Sequence, residues 1–188
     1  MMNPFAQLID VLVSLYVSVI LLRFFLQYFR ADFYNPLSQF CVKATDPFIK
    51  PLRKLIPGFA GIDLSSLVLA YFVIIAKLVL MTLIAGQLNI NPLLLILISL
   101  VELLKSVLNL FVFLIFIRII MSWISTGGHN PIMAVIGQLS EPIIAKFRKI
   151  LPPMSGFDFS PMIALILIYF TINLVNYYLV PVIHSIAY

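Results

Sequence analysis

Charge is what this sequence has least of. Only 10% of its 188 residues are Asp, Glu, Lys or Arg, against 63% hydrophobic, whereas a soluble domain carries about 25% charged residues. With a mean hydropathy of +1.14, too little polar surface remains to face water, and the chain reads as an integral membrane protein. Its apolar runs are continuous and rich in Leu and Ile. A membrane β-barrel needs alternating positions, so an all-α membrane protein is expected. The single cysteine, Cys41, excludes an internal disulfide and a cysteine-cluster metal site. A basic segment and a small-residue cleavage site are missing from the N-terminus, and Asp10 interrupts its apolar run, so this region reads as a retained helix.

Enzyme signatures are absent too. There is no Gly-rich phosphate loop, no HExxH, and no Ser/His/Asp set on one face. His129 opens a loop helix and His184 lies at the far terminus, on opposite sides of the membrane, so they cannot share a metal or haem directly. No catalytic residue, metal or cofactor is expected. Nucleic-acid binding is also unsupported, because the basic residues alternate with apolar positions that a bilayer would claim.

What the chain does have is a repeat. Displaced by 95 positions, Arg23 falls on Arg118, Asn35-Pro36 on Asn130-Pro131 and Asp46-Pro47 on Glu141-Pro142. Arg53-Lys54 meets Arg148-Lys149, Pro57 meets Pro152, and Gly61-x-Asp63-x-Ser65 meets Gly156-x-Asp158-x-Ser160. The matched residues are the Pro, Gly, Asp and Arg that set turns and charge positions, not apolar filler that matches by chance. Two units follow, residues 1–90 and 91–188.

Each unit holds two spans. The first runs from about Pro4 to Phe29, the second from Ser65 to Ala85, and the fourth from Pro161 to Val180. The third, from Asn91-Pro92 to Ile124, is about 50 Å long at 1.5 Å per residue, more than a hydrocarbon core of about 30 Å. Its first two turns are expected in the interface, with strong tilt as the alternative. Lys and Arg cluster between spans one and two and between spans three and four. Met1–Asn3, Gly86–Asn91 and Pro181–Tyr188 have none. The positive-inside rule puts both long loops in the cytoplasm and both termini outside. The repeats are then parallel, related by an axis along the membrane normal.

Each loop reads as a pair of amphipathic interfacial helices, the second restarting at Thr45-Asp46-Pro47 or its equivalent. Lys50, Arg53 and Lys54 in the first copy, and Lys146, Arg148 and Lys149 in the second, oppose apolar stripes. That pattern suits anionic headgroups or a membrane-protein partner; the plainer reading is a cover for the bundle base, with the cations serving topology. In the repeated signature of Gly61, Asp63, Ser65, Gly156, Asp158 and Ser160, the serines are expected as N-caps of spans two and four. The aspartates favour the positive helix end, with Arg53 and Arg148, or Arg23 and Arg118, as further partners. Within the spans, Asp10, Lys77, Glu102 and Lys105 lie at comparable depth with Asn173 and Asn176. They are expected to form a buried polar network that fixes helix packing; an ion pathway is the rival reading.

The duplicated pattern resembles the YggT family of small bacterial inner-membrane proteins over nearly the whole chain. The family's basic motif maps onto Arg53-Lys54 and Arg148-Lys149, and its Gly-x-Asp signature onto Gly61/Asp63 and Gly156/Asp158. The resemblance implies an accessory protein without a catalytic residue set, supporting a membrane complex or tolerance of osmotic stress. For chloroplast relatives it implies a link to cofactor attachment on membrane cytochromes. The function expected is a non-enzymatic scaffold with a basic platform toward lipids and a membrane partner; the alternative is an oligomeric ion or solute transport component.

Overall fold

The computed structural model describes residues 3–58, 61–86, 91–124, 130–151 and 158–187, and all of its regular elements are helices. They are α1 (Pro4–Tyr28), α2 (Pro36–Leu55), α3 (Leu64–Ile84), α4 (Pro92–Ile124), α5 (Pro131–Arg148), α6 (Ser160–Leu174) and α7 (Val180–Ala187), with a π-helical segment, Val175–Leu179, joining the last two. Among the described residues, four stretches are long and apolar enough to cross a membrane: Pro4–Tyr28, Leu64–Ile84, Pro92–Ser122 and Ser160–Ile186.

Local chemistry explains where these helices begin. α1, α2, α4 and α5 all open on Asn-Pro. The Asn side chain accepts the N–H two residues on, at 3.0 Å in each case. Proline at the next position loses nothing, because its missing N–H would have had no helical partner. The interval from this start to the arginine differs between the copies. Arg23 lies 19 residues after Pro4, and Arg118 lies 26 after Pro92. α4 therefore gains its additional turns at its start, and it is continuous over 33 residues.

Two expectations about helix ends need correction. Each loop forms one helix, not a pair: α2 continues through Pro47 and Pro51, and α5 through Pro142. Proline forfeits one backbone hydrogen bond, but the face formed by Ser38, Cys41, Thr45 and Ile49 is buried against neighbouring helices, as are Val135, Leu139, Ser140 and Ile144 in α5. Burial of a continuous face outweighs the local break. The last span also runs past Val180, through Pro181. Pro181 cannot donate to the preceding turn, and just upstream the ladder widens, with Val180 N–H donating to the Val175 carbonyl. Such a π turn makes room for the ring.

α4 is the hub, packing on α1, α3, α5, α6 and α7. The pairings α1–α3, α1–α2 and α2–α3 recur as α4–α6, α4–α5 and α5–α6. The shared core draws Ile20 and Leu21 from α1, Ile49 from α2, Ile74 from α3, Leu114 from α4 and Leu139 from α5. Phe25 meets Phe111 edge to face at 4.7 Å. The loop helices also touch directly: Asn35 Nδ2 donates to the Pro131 carbonyl, and Asp32 N–H to Gln138 Oε1 at 3.1 Å. Outward faces stay apolar, with Phe5, Leu12, Phe72, Phe116 and Phe170 all exposed, as hydrocarbon solvent requires.

Candidate functional site

At the end of the bundle where α2 and α5 lie, one constellation of charges occurs twice. Arg23, on the last turns of α1, reaches across to α2. Its Nη1 pairs with Asp46 Oδ1 at 2.7 Å and donates to Thr45 Oγ1 at 2.7 Å and to the Val42 carbonyl at 3.2 Å. Arg118 on α4 makes the equivalent set on α5: Glu141 at 2.6 Å, Ser140 Oγ at 2.9 Å and the Gly137 carbonyl at 3.5 Å. The two hydroxyls can accept because each gives its own proton to the carbonyl four residues back, Cys41 and Ile136 respectively. Such charge-assisted bonds are the strong ones, and here they fasten a loop helix to a span.

A second arginine ties each loop helix to the next span. Arg53 Nη2 lies 2.6 Å from Asp63 Oδ2, which also accepts the Ser66 hydroxyl at 2.7 Å. Arg148 bridges Glu141 at 2.6 Å and Asp158 at 2.8 Å. Of the two partners open to each aspartate, the nearer arginine holds it, and Arg23 and Arg118 bind acids of the loop helices instead. Sequence reasoning left Asp46, Glu141, Thr45 and Ser140 out of the site. The signal was present, since Asp46-Pro47 and Glu141-Pro142 coincide in the repeat.

The carboxylates are tuned accordingly. Hydrogen bonds from Lys50, and then Arg23, hold Asp46 below the usual carboxylate range against the opposing effect of burial. Burial would raise Asp63, Glu141 and Asp158. Hydrogen bonds from Arg53 and Ser66, from Arg118 and Arg148, and from Ser160 and Arg148 outweigh it, so all three lie low. These groups stay ionised near neutrality.

Other expected site residues fall elsewhere. Lys50 pairs with Asp46 at 2.8 Å, while Lys54, Lys146 and Lys149 are exposed and carry no ion pair among the described residues. Ser65 and Ser160 do not cap their helices: the residues preceding α3 and α6 are Asp63 and Phe159. The buried hydroxyls donate back instead, Ser65 to the Ile56 carbonyl at 2.7 Å and Ser160 to Leu151 at 3.1 Å. They satisfy carbonyls left open at the end of the loop helix, and Asp158 Oδ1 accepts the Ser160 N–H at 3.0 Å. Gly61 has φ +83, a left-handed turn that glycine takes without strain. Gly156 and His129 lie outside the described residues.

The charges within the spans form two separate pairs, not one network. Lys77 meets Asp10 at 2.9 Å and donates to Ser14 at 3.1 Å, tying α3 to α1. Glu102 and Lys105 pair along α4 itself at 2.7 Å. Asn173 donates to the Tyr169 carbonyl of its own helix at 3.0 Å, and Asn176 is exposed. Helices offer many faces at one depth, so comparable depth alone did not bring these groups together.

A family model described as CCB3/YggT matches residues 2–84 and again 97–179, so the second match is the first displaced by the same 95 positions. Most of the additional residues at the start of α4 fall before the second match. The chain is 40% identical to the Escherichia coli K12 protein named Uncharacterized protein YggT, over 168 residues covering 89% of this chain and 87% of that one. It is 43% identical to a Vibrio alginolyticus protein named only by its place in the proC 3′ region, over 88% of this chain and 89% of that one. The Uncharacterized protein ycf19 of Cyanidium caldarium is 32% identical over 75 residues, 39% of this chain and 82% of its own. No solved structure matches the chain. With two matches to the family model that together span most of its length, the chain belongs to the CCB3/YggT family.

Proposed function

We propose that this protein is a non-enzymatic accessory scaffold of the bacterial inner membrane, supporting a membrane complex or tolerance of osmotic stress. Its two halves, 1–90 and 91–188, act as parallel repeats with both termini outside the cytoplasm. α2 and α5 lie as amphipathic helices in the cytoplasmic interface, and their basic side chains meet anionic headgroups and a membrane-protein partner. The observation that carries this reading is the duplicated clamp. Arg23–Asp46 and Arg118–Glu141 hold each loop helix against its span, leaving Lys54, Lys146 and Lys149 exposed. A fixed basic face on an apolar bundle suits recognition at a lipid surface. The paired charges Asp10–Lys77 and Glu102–Lys105 are each neutral, which favours packing over conduction.

The test is extraction in native nanodiscs of the wild type and of a variant with Lys54, Lys146 and Lys149 all changed to Ala. Around the wild type, anionic lipid and a stoichiometric membrane-protein partner should be enriched, and both should be depleted around the variant at equal protein yield. The same surroundings for both proteins would refute the platform.

A further inference from the structure

A cavity of about 480 Å³, with charged side chains set among apolar ones such as Leu26 and Phe33, opens between the Arg23 end of α1 and α2. Four cations line it, Arg23, Arg30, Lys50 and Arg53, with one carboxylate, Asp46. That carboxylate is shared by Arg23 and Lys50, while Asp63 takes Arg53. Arg30 is left over. Among the described residues its guanidinium has no ion-pair partner.

Arg30 also stands where the backbone favours glycine. α1 closes in a left-handed turn: Arg30 N–H donates to the Gln27 carbonyl at 3.1 Å, Ala31 N–H to Leu26 at 2.9 Å, and Arg30 has φ +52. α3 ends with the same type of contact, Gly86 N–H to Leu83 at 3.0 Å, and there the left-handed residue is glycine, φ +75. A side chain in this region is disfavoured relative to glycine. An arginine at such a position needs a reason other than the turn.

The second repeat supplies an internal comparison. At the 95-residue offset, Arg23, Arg53 and Asp63 meet Arg118, Arg148 and Asp158, and these remake the docking contacts. Arg30 and Lys50 meet Ser125 and Ala145. A loop helix is therefore fastened to its spans without either cation, and Arg30 and Lys50 are additions of the first repeat.

We propose that this cavity is a discrete phosphate-binding site, with Arg30 and Lys50 as its added ligands. It takes the phosphate of an anionic phospholipid headgroup or free phosphate. The planar guanidinium of Arg30 can grip two phosphate oxygens at once, and Lys50 adds a point charge. The proposal rests on the basic platform described above and sharpens it to one place in one repeat.

Full-length protein in mild detergent tests it with two probes. Phosphatidylglycerol binding is measured by native mass spectrometry, and inorganic phosphate by thermal shift at constant ionic strength. Arg30→Gly and Lys50→Ala should each weaken binding about tenfold, several times more than Lys146→Ala/Lys149→Ala, whose exposed cations belong to the platform but lie outside the cavity. Arg30→Gly should melt no lower than wild type, because glycine suits the turn; weaker binding then cannot be ascribed to unfolding. A response to the lipid alone assigns the headgroup, and a response to inorganic phosphate assigns the free anion; either supports the site. Unchanged binding in both first-repeat variants would overturn it. Equal weakening by the Lys146/Lys149 variant would replace the site with a diffuse basic face and leave the platform standing. Absence of wild-type binding to either probe would overturn both.

Discussion

The two clamps permit one perturbation at two depths of burial. In Asp46→Ala, Arg23 loses its carboxylate while its side chain is only 7% exposed. It keeps Thr45 Oγ1 at 2.7 Å and the Val42 carbonyl at 3.2 Å. Breaking a buried ion pair from one side costs about 3–5 kcal/mol, and the two remaining acceptors put this case near the lower end, about 3 kcal/mol. In Glu141→Ala, Arg118 is already 25% exposed and keeps Ser140 at 2.9 Å, while Arg148 keeps Asp158 at 2.8 Å. Water and the remaining partners limit that cost to about 1 kcal/mol. The expected difference of about 2 kcal/mol is about a thirtyfold change in the unfolding equilibrium. Adding Arg23→Met to Asp46→Ala removes the stranded cation and should recover about 1 kcal/mol or more. Reversible unfolding in mixed detergent and dodecyl sulfate micelles, followed by circular dichroism, measures the wild type, the two acid variants, Arg23→Met alone and the double variant. The reasoning fails if Glu141→Ala costs as much as Asp46→Ala, or if the double variant costs the sum of its two single changes.

Acid should loosen the same contacts. Asp46 lies low chiefly through its hydrogen bond from Lys50; Asp63, Glu141 and Asp158 lie low despite burial, because arginine and serine donors outweigh it. The unfolded chain binds protons first, so this stability is complete above the unfolded carboxylate values of about 4 and is lost as pH falls through the lower folded ones. Thermal midpoints in detergent should drop below about pH 4, less steeply in Asp63→Asn; a decline beginning near neutrality would contradict this. Burial pushes the Cys41 thiol up to about 11, against the pull of Arg23, so maleimide near neutral pH should modify Cys41 only in unfolded protein. Within the spans, Lys77 is 11% exposed and Asp10 44%. Asp10→Ala, which strands the more buried partner, should lower detergent stability more than Lys77→Met; the reverse order would show that burial does not rank these charges.

Composition and repetition determined the outline of this protein. Continuous Leu- and Ile-rich runs could satisfy their backbones in hydrocarbon only as helices, and the Asn-Pro pairs marked where four of the helices start. The two-copy pattern was legible because turn and charge residues recur at fixed positions, and the family match repeats at the same interval. Only tertiary structure decided the rest. Pro47 and Pro142 read locally as breaks, yet α2 and α5 run through them because a continuous buried face outweighs one lost backbone bond. Asp63 had two candidate arginines, Arg53 and Arg23; Arg53 holds it, and the approach of α2 to α1 gives Arg23 to Asp46. Charges at one depth separated into Asp10–Lys77 and Glu102–Lys105, since pairing depends on which helix faces meet. A sequence carries the spacing of its charges along each helix; how the helices are turned against one another emerges only when they pack.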